Sequence, residues 1–321
     1  MPRRPNAIGC SLALLVCAGV VTQAGEPASV SEAFVTNQTD DSLSIVELGD
    51  LKVAETLKIG GKPAGIAVSA DGKLAFLTSP EGKEVVVVDA VARKIVQRIK
   101  IGEGPLGIAA HPSNGRIYVA DWYTHKLSVI DPLAGTTLAE VAVGDSPSGV
   151  AVTPDGRLVL TADRDSNSVS FIDAETNERL GGVTVGERPF GITIDASGAR
   201  AYTANVASDD VSLIDIAKRA VIATVKVERR PYAVALAGGR AFVTNQYTST
   251  VSVIDLAGMK VIKSIPVGDH PEGIAADPAG KYVYVACWFD NVLMRIDTDK
   301  LEVKGEVEVG DGPRAFGLFL R

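Results

Sequence analysis

Gly268-Asp-His-Pro-Glu-Gly-Ile-Ala-Ala-Asp-Pro-Ala-Gly-Lys-Tyr-Val-Tyr-Val-Ala-Cys287 is a phrase that the chain repeats, with variations, over nearly its whole length. Its core reads Val-Gly-acid-x-Pro-x-Gly-Ile-Ala-Val. A Pro-Asp-Gly-like turn follows, then an apolar run that ends on a polar residue, then Val-Ser-Val-Ile-Asp. The apolar runs begin at Ala33, Ala75, Ile117, Val159, Ala201, Ala241 and Val283. Those starts lie 42 residues apart, except for one step of 40 between Ala201 and Ala241. A fixed period in this range marks a repeat architecture, and it governs how every local motif is read.

One unit, residues 146 to 186, shows what a repeat folds into. Gly149–Val152 reads as a short strand and Thr153–Gly156 as a turn. Leu158–Ala162 is a second strand, Ser168–Asp173 a third with alternating faces, and Leu180–Val185 a fourth. Four strands of about six residues and their turns account for some 40 residues. The expected fold is all-β: a seven-bladed β-propeller of four-stranded antiparallel blades. A glycine follows the proline-x pair in five units (Gly65, Gly107, Gly149, Gly191, Gly273), with Ala233 and Ala315 in the other two. In a propeller that position lies on the central axis, where blades crowd and a missing Cβ permits close approach. The first apolar run, Ala33 to Asn37, has no first strand before it. The C-terminal Gly312-Pro-Arg-Ala-Phe-Gly-Leu-Phe-Leu320 has the first-strand phrase and then stops. It is expected to pair into the N-terminal blade and close the ring, which removes free sheet edges.

Residues 1–24 look like a secretory signal: basic Arg3 and Arg4, an apolar stretch from Ile8 to Val21, and a cleavage site at Thr22-Gln23-Ala24. Residues 25–32 read as a polar tail and 33–321 as the propeller. The expected location is the periplasm or the exterior. Beyond the signal the chain keeps one cysteine, Cys287, so no internal disulfide is available and the core and sheet pairing must hold the fold. The whole chain carries 32 basic and 39 acidic side chains. Without Arg3 and Arg4 this becomes 30 against 39, a formal charge of −9. That balance disfavours nucleic acid or anionic lipid as a whole-surface partner.

Ala33-Phe-Val-Thr-Asn37 and Ala241-Phe-Val-Thr-Asn245, with Val251-Ser-Val-Ile-Asp255, resemble the YVTN-repeat β-propellers over roughly the whole chain beyond residue 24. The resemblance implies an exported or surface protein. Propellers of the same shape include haem- and quinoprotein-associated ones, so fold alone assigns no activity.

Catalytic signatures are few. Cys-x-x-Cys-His, His-Glu-x-x-His, Gly-x-Ser-x-Gly and a phosphate-binding glycine loop are all missing. No motif calls for a cofactor. Of the three histidines, His111 falls on the opposite face from His125 and His270, which argues against a three-histidine site. Streptogramin-lyase-like propellers use a histidine with a metal, so that class stays open. Asp163-Arg-Asp-Ser-Asn167 starts like a calcium loop but lacks the glycine and glutamate such a loop needs, and it reads as a polar turn. The acids ending the third strands (Asp89, Asp131, Asp173, Asp215, Asp255, Asp297) repeat too strictly for a site and are expected to cap the following turns.

The candidate site comes from the exceptions on one face. Loops joining second to third strands contain Trp122, Tyr123, Tyr247, Trp288 and Phe289. Loops joining fourth to first strands carry Lys62, Arg188, Phe190, Arg229, Arg230, Tyr232, His270 and Arg314. The expected binding set is Trp122, Tyr123, Arg188, Phe190, Arg229, Arg230, Tyr232, Tyr247, His270, Trp288 and Arg314. Aromatic and arginine residues on exposed loops form binding hot spots. The expected partner is a protein or a small anionic ligand, engaged by a monomeric, non-enzymatic scaffold. Two other arrangements are weighed. The tryptophans could simply plug blade tops, with the arginines paired to neighbouring acids. Alternatively, Cys287 with His270 could hold a soft metal or act as a nucleophile at the channel mouth of an enzyme or redox accessory protein, although a buried thiol usually packs as a small hydrophobe.

Overall fold

The computed structural model describes residues 1–2 and 30–321, so the expected signal and most of the tail lie outside the described residues. From Glu32 onward the chain forms seven antiparallel blades around a central axis, with no helix among the described residues. Blades 2 to 7 span 65–100, 105–142, 147–184, 189–226, 231–266 and 271–308, each with four strands in chain order from the axis outward. Burial follows that order. In blade 1 the strand Glu32–Asn37 is buried along its length, whereas the outermost strand, Lys52–Lys58, is largely exposed.

Blade 1 is closed by the other end of the chain. Glu32–Asn37, Ser42–Glu47 and Lys52–Lys58 make three of its strands. The innermost place is taken by residues 313–321, antiparallel to Glu32–Asn37 through the bridges Ala33 to Leu320 and Asn37 to Pro313. The Phe34 amide donates to the Phe319 carbonyl at 2.8 Å, and the Arg314 amide to the Thr36 carbonyl at 2.7 Å. Phe316–Leu318 also runs parallel to Gly65–Val68, the innermost strand of blade 2. Buried Ala315, Phe316 and Phe319 complete the packing. The ring therefore closes as the repeat phase predicts.

Near the axis the blades touch backbone to backbone. A Cβ on Gly107 would come within 1.8 Å of the Ser148 carbonyl oxygen of the next blade, so only glycine fits. Hydroxyls stitch the same level: Thr36, Thr78 and Thr244 donate to the carbonyls of Ala64, Leu106 and Glu272, each on the following blade. The third-strand acids do cap their turns. Asp173 accepts from the amides of Glu175 and Thr176, and Asp89 and Asp297 repeat the arrangement.

Candidate functional site

The face carrying the fourth-to-first and second-to-third loops, here the top, is tied together by one repeated contact. The residue before each inner proline adopts a left-handed backbone at Lys62, Ser146, Arg188, Arg230 and His270, with φ between 51° and 58°. That conformation is costly without glycine. In four of these the amide donates to a side chain of the preceding blade: Lys62 to Asp41, Ser146 to His125, Arg188 to Asn167 and Arg230 to Asp209. The side chains of Arg188 and Arg230 thus project from a braced rim. His125 is absorbed by the same bracing, since its Nδ1 accepts the Ser146 amide at 2.9 Å. His111, on the bottom, is absorbed elsewhere. Its Nδ1 accepts from the Ser113 and Asn114 amides, and its Nε2 lies 2.9 Å from the Gly156 carbonyl oxygen.

Inside the rim, the residue after each inner proline surrounds the channel mouth, one per blade: Ala64, Leu106, Ser148, Phe190, Tyr232, Glu272 and Arg314. This corrects the loop assignment of three expected site residues. Phe190 and Tyr232 belong to first strands and are 6% and 3% exposed, and Arg314 opens the closing segment with a side chain only 17% exposed. They cannot offer contact area to a large partner. They build the floor of the mouth instead. Phe190 packs on Tyr232 with ring centroids 4.3 Å apart, and Phe316 reaches both, at 5.0 and 5.6 Å. Trp122, half-buried, leans on Phe190 from blade 3 at 6.3 Å. These rings pack into one cluster with Leu106 of blade 3.

Above the cluster lies a polar network. Arg314 donates to the Tyr232 hydroxyl and, through Nη1, to Gln38 Oε1 at 3.0 Å. Its Nε sits 3.1 Å from Glu272 Oε2. Gln246 Nε2 donates to Glu272 Oε1 at 2.8 Å, and Arg230 Nε donates to Gln246 Oε1 at 2.6 Å. Burial pushes the Glu272 carboxyl up, and Arg314 opposes that shift. Burial also raises the Tyr232 phenol, while Tyr232 and Glu272 together keep Arg314 firmly protonated. Glu272, Gln246 and Gln38 were not among the sequence candidates. Glu272 was visible as the one acid at the proline-x position, and nothing in the sequence marks Gln246 as its neighbour or Gln38 as that of Arg314.

The outer crescent is where sequence and structure agree on exposure. Tyr247 and Tyr123 are 52% and 69% exposed, and Phe289 is 59% exposed. Arg230 and Arg229 stand over the Tyr247 ring, 4.9 and 5.7 Å from its centroid. His270 lies between Tyr247 and Phe289, at 5.7 and 4.5 Å, with Nδ1 3.1 Å from Asp269. Arg314 stands 5.8 Å from the centroid of half-buried Trp288. Arg164 covers Trp122 at 5.2 Å, and Arg188 lies at the edge of ion-pair distance from Asp165, 4.0 Å. The structure thus joins Arg229, Arg230, Tyr247 and His270 into one surface, with Trp288 behind it. Trp122, Tyr123 and Arg188 stand apart on other blades.

Cys287 is fully buried in the packing of blades 6 and 7. Burial pushes its thiol up to about 12. A thiol held that far from ionisation is a poor nucleophile and a poor metal ligand. The described residues contain no group of three or more His, Cys, Asp or Glu arranged for a metal ion. Asp163 is turned inward to Thr161 and Ser170, so the calcium-like run is a structural turn.

A family model described as YNCE-like beta-propeller matches residues 19–116, and one described as NHL repeat matches residues 103–130. No match is found among curated proteins. Among solved structures, a chain of Kuenenia stuttgartiensis hydrazine synthase is similar with a TM-score of 0.73 and 24% identity, covering 79% of this chain and 89% of that one. A functionally unknown protein from Desulfotomaculum acetoxidans has a TM-score of 0.76 at 15% identity, covering 89% of this chain and all of that one. Dihydro-heme d1 dehydrogenase NirN, in complex with DHE, has a TM-score of 0.67 at 14% identity, covering 91% of this chain and 75% of that one. At these identities the likeness is one of fold. The chain is a β-propeller repeat protein.

Proposed function

We propose that this chain is an exported member of the YVTN-repeat propellers, cleaved after Ala24, that binds a partner protein or an anionic ligand on its top face without catalysing a reaction. The observation that carries the reading is the Arg229–Arg230–Tyr247–His270 surface. Two guanidinium groups lie over one half-exposed ring, on a braced rim, in a protein of net negative charge. Guanidinium groups take carboxylates and phosphates in paired hydrogen bonds, and exposed aromatic rings add contact area at small entropic cost.

The competing reading is an enzyme or redox accessory protein with a ligand in the channel mouth. It draws on the names of two fold neighbours, hydrazine synthase and NirN. The burial of Cys287 and the close packing of Phe190, Tyr232 and Phe316 weigh against it, because the thiol and the rings are engaged in the core. The test is cross-linked co-purification from the extracytoplasmic fraction, with wild type and an Arg229→Glu, Arg230→Glu variant side by side. The reading expects a partner or ligand that wild type recovers and the charge-reversed chain loses, on a protein beginning at Gly25. Equal recovery by both, or a recovered chain still starting at Met1, contradicts the corresponding half of the proposal.

A further inference from the structure

On the bottom face, the seam between blade 7 and blade 1 opens into a cavity of about 350 Å³, within the range of small-ligand sites. Leu48, Pro278, Lys281, Tyr282, Tyr284 and Arg295 line it. Arg295 is the anomaly. The corresponding third-strand residue is Ile45, Val87, Val129, Phe171, Leu213 and Val253 in the other six blades, all apolar. One charged side chain has entered a layer that is otherwise core.

Part of its role is structural. In two other seams an arginine at the start of a second strand reaches the carbonyl that follows the next blade's third strand. Arg116 donates to Ala174 at 3.3 Å and Arg240 to Thr298 at 2.8 Å. In blade 7 that starting position holds Tyr282, and Arg295 Nη1 makes the equivalent bond to Leu48 at 3.0 Å. The clasp has moved from the second strand to the third. It uses one nitrogen of the guanidinium. The Nε atom is buried and has no partner. A buried N–H without an acceptor is costly, so the clasp alone does not account for the placement of this guanidinium.

The surroundings define what the rest of the guanidinium meets. The Tyr282 ring lies against the guanidinium, 4.9 Å from centroid to Cζ, and the Lys281 Nζ stands 5.0 Å from the same ring. Tyr284 is 6.5 Å from Tyr282 between centroids, and Arg295 opposes the upward push that burial gives its phenol. The one acid on the wall, Asp277, is taken up by the Lys281 and Tyr282 amides. The cavity combines a guanidinium with only Nη1 committed, a second cation at the rim and apolar walls. The corresponding seam between blades 3 and 4 encloses about 200 Å³, and its His111 nitrogens are already engaged.

We propose that the blade 7–blade 1 seam is a second binding site, for a small carboxylate with a flat apolar body. Arg295 takes the carboxylate through Nη2, Lys281 supplements the charge, and Leu48, Pro278 and Tyr284 enclose the body. This site does not depend on the top-face reading. The probe is 2-naphthoate, titrated calorimetrically into the purified full chain, with 2-naphthylmethanol as the uncharged control. The expected result is saturable one-to-one binding of the acid and none of the alcohol.

The decisive variant is Tyr282→Arg with Arg295→Val. It installs the blade 6 pattern of Arg240 and Val253, keeps a clasp to Leu48 and deletes the site. Binding should fall at least about tenfold while the melting temperature holds. Should that variant fold poorly, Lys281→Glu on the exposed rim leaves the clasp intact and should still weaken binding severalfold. Absence of saturable binding to wild type, unchanged affinity in either folded variant, or equal binding of the alcohol overturns the proposal.

Discussion

The two halves of the channel mouth use the same backbone position for different ends. On blades 2, 3 and 4 it holds Ala64, Leu106 and Ser148; on blades 5, 6, 7 and 1 it holds Phe190, Tyr232, Glu272 and Arg314. On the first half the position serves assembly. The Ser148 hydroxyl lies within hydrogen-bonding distance of the carbonyls of Ala162, Pro189 and Phe190, spanning two blades. On the second half it carries an aromatic cluster and a buried ion pair. Buried ion pairs contribute little net stability and persist for other reasons. The repeat supplies the scaffold everywhere, and the departures from it gather on one side.

The largest expected effect breaks the ring that both halves share. Deleting Ala315 to Arg321 removes the innermost strand of blade 1, with buried Phe316 and Phe319. Each lost phenylalanine costs about 3–5 kcal/mol. Thermal unfolding should shift down by on the order of 10–20 °C, or the protein should aggregate at the exposed edge. An unchanged melting temperature contradicts the closure.

Arg314→Met strikes the second half alone. It leaves Glu272 buried without its cation, and removing one partner of such a pair costs about 3–5 kcal/mol. Ser148→Ala, at the same position on the first half, removes a neutral hydrogen bond and should cost about 1 kcal/mol. Chemical denaturation of the two variants reads the difference directly. Equal losses would show the halves to be alike.

The smallest effect concerns a polar position that varies around the ring. Asp163 is fully buried, and burial raises its carboxyl above the ordinary aspartate range despite hydrogen bonds from Ser170 and Thr161. The folded state therefore holds its proton to higher pH than the unfolded chain does. Stability from this group is present below the ordinary aspartate pKa. It is lost as pH rises through the raised folded value. At the corresponding position Asn205 and Asn245 donate Nδ2 to Ser212 and Ser252 at 2.9 Å, with no charge to bury. Asp163→Asn should stabilise the protein at neutral pH by about 0.5–2 kcal/mol and flatten the acid side of its stability profile. A destabilised variant at pH 7 would show that the carboxylate is held by more than these contacts.

Period and phase carried the blade count and the turn-capping acids, because these repeat and depend on neighbours close in sequence, and they carried the closing segment because it is a first-strand phrase left without its own blade. The exposed crescent was also legible, since Arg229, Arg230, Tyr247 and His270 are exceptions within a repeat. Phe190, Tyr232 and Arg314 look like loop residues in the sequence, because only the convergence of blades on one axis turns that position inward. Glu272 and Arg295 stood in plain view as a lone acid and a lone cation at their repeat positions. Their partners, Gln246 and Arg314 for one and Leu48 and Tyr282 for the other, come from other strands or other blades. No spacing rule reaches them.

The central claim is that the top face, on the side of blades 5, 6, 7 and 1, is where this protein engages its partner. The most direct measurement is the affinity of the co-purified partner or ligand for wild type, Trp288→Ala, Arg230→Ala and His111→Ala, with circular dichroism on each. Loss of a hot-spot side chain costs about 2 kcal/mol or more, roughly a 30-fold drop in affinity. Trp288→Ala and Arg230→Ala should show that drop with unchanged spectra, and His111→Ala on the bottom face should bind like wild type. Weakened binding by His111→Ala with full affinity in Trp288→Ala and Arg230→Ala would place the functional face on the other side of the ring.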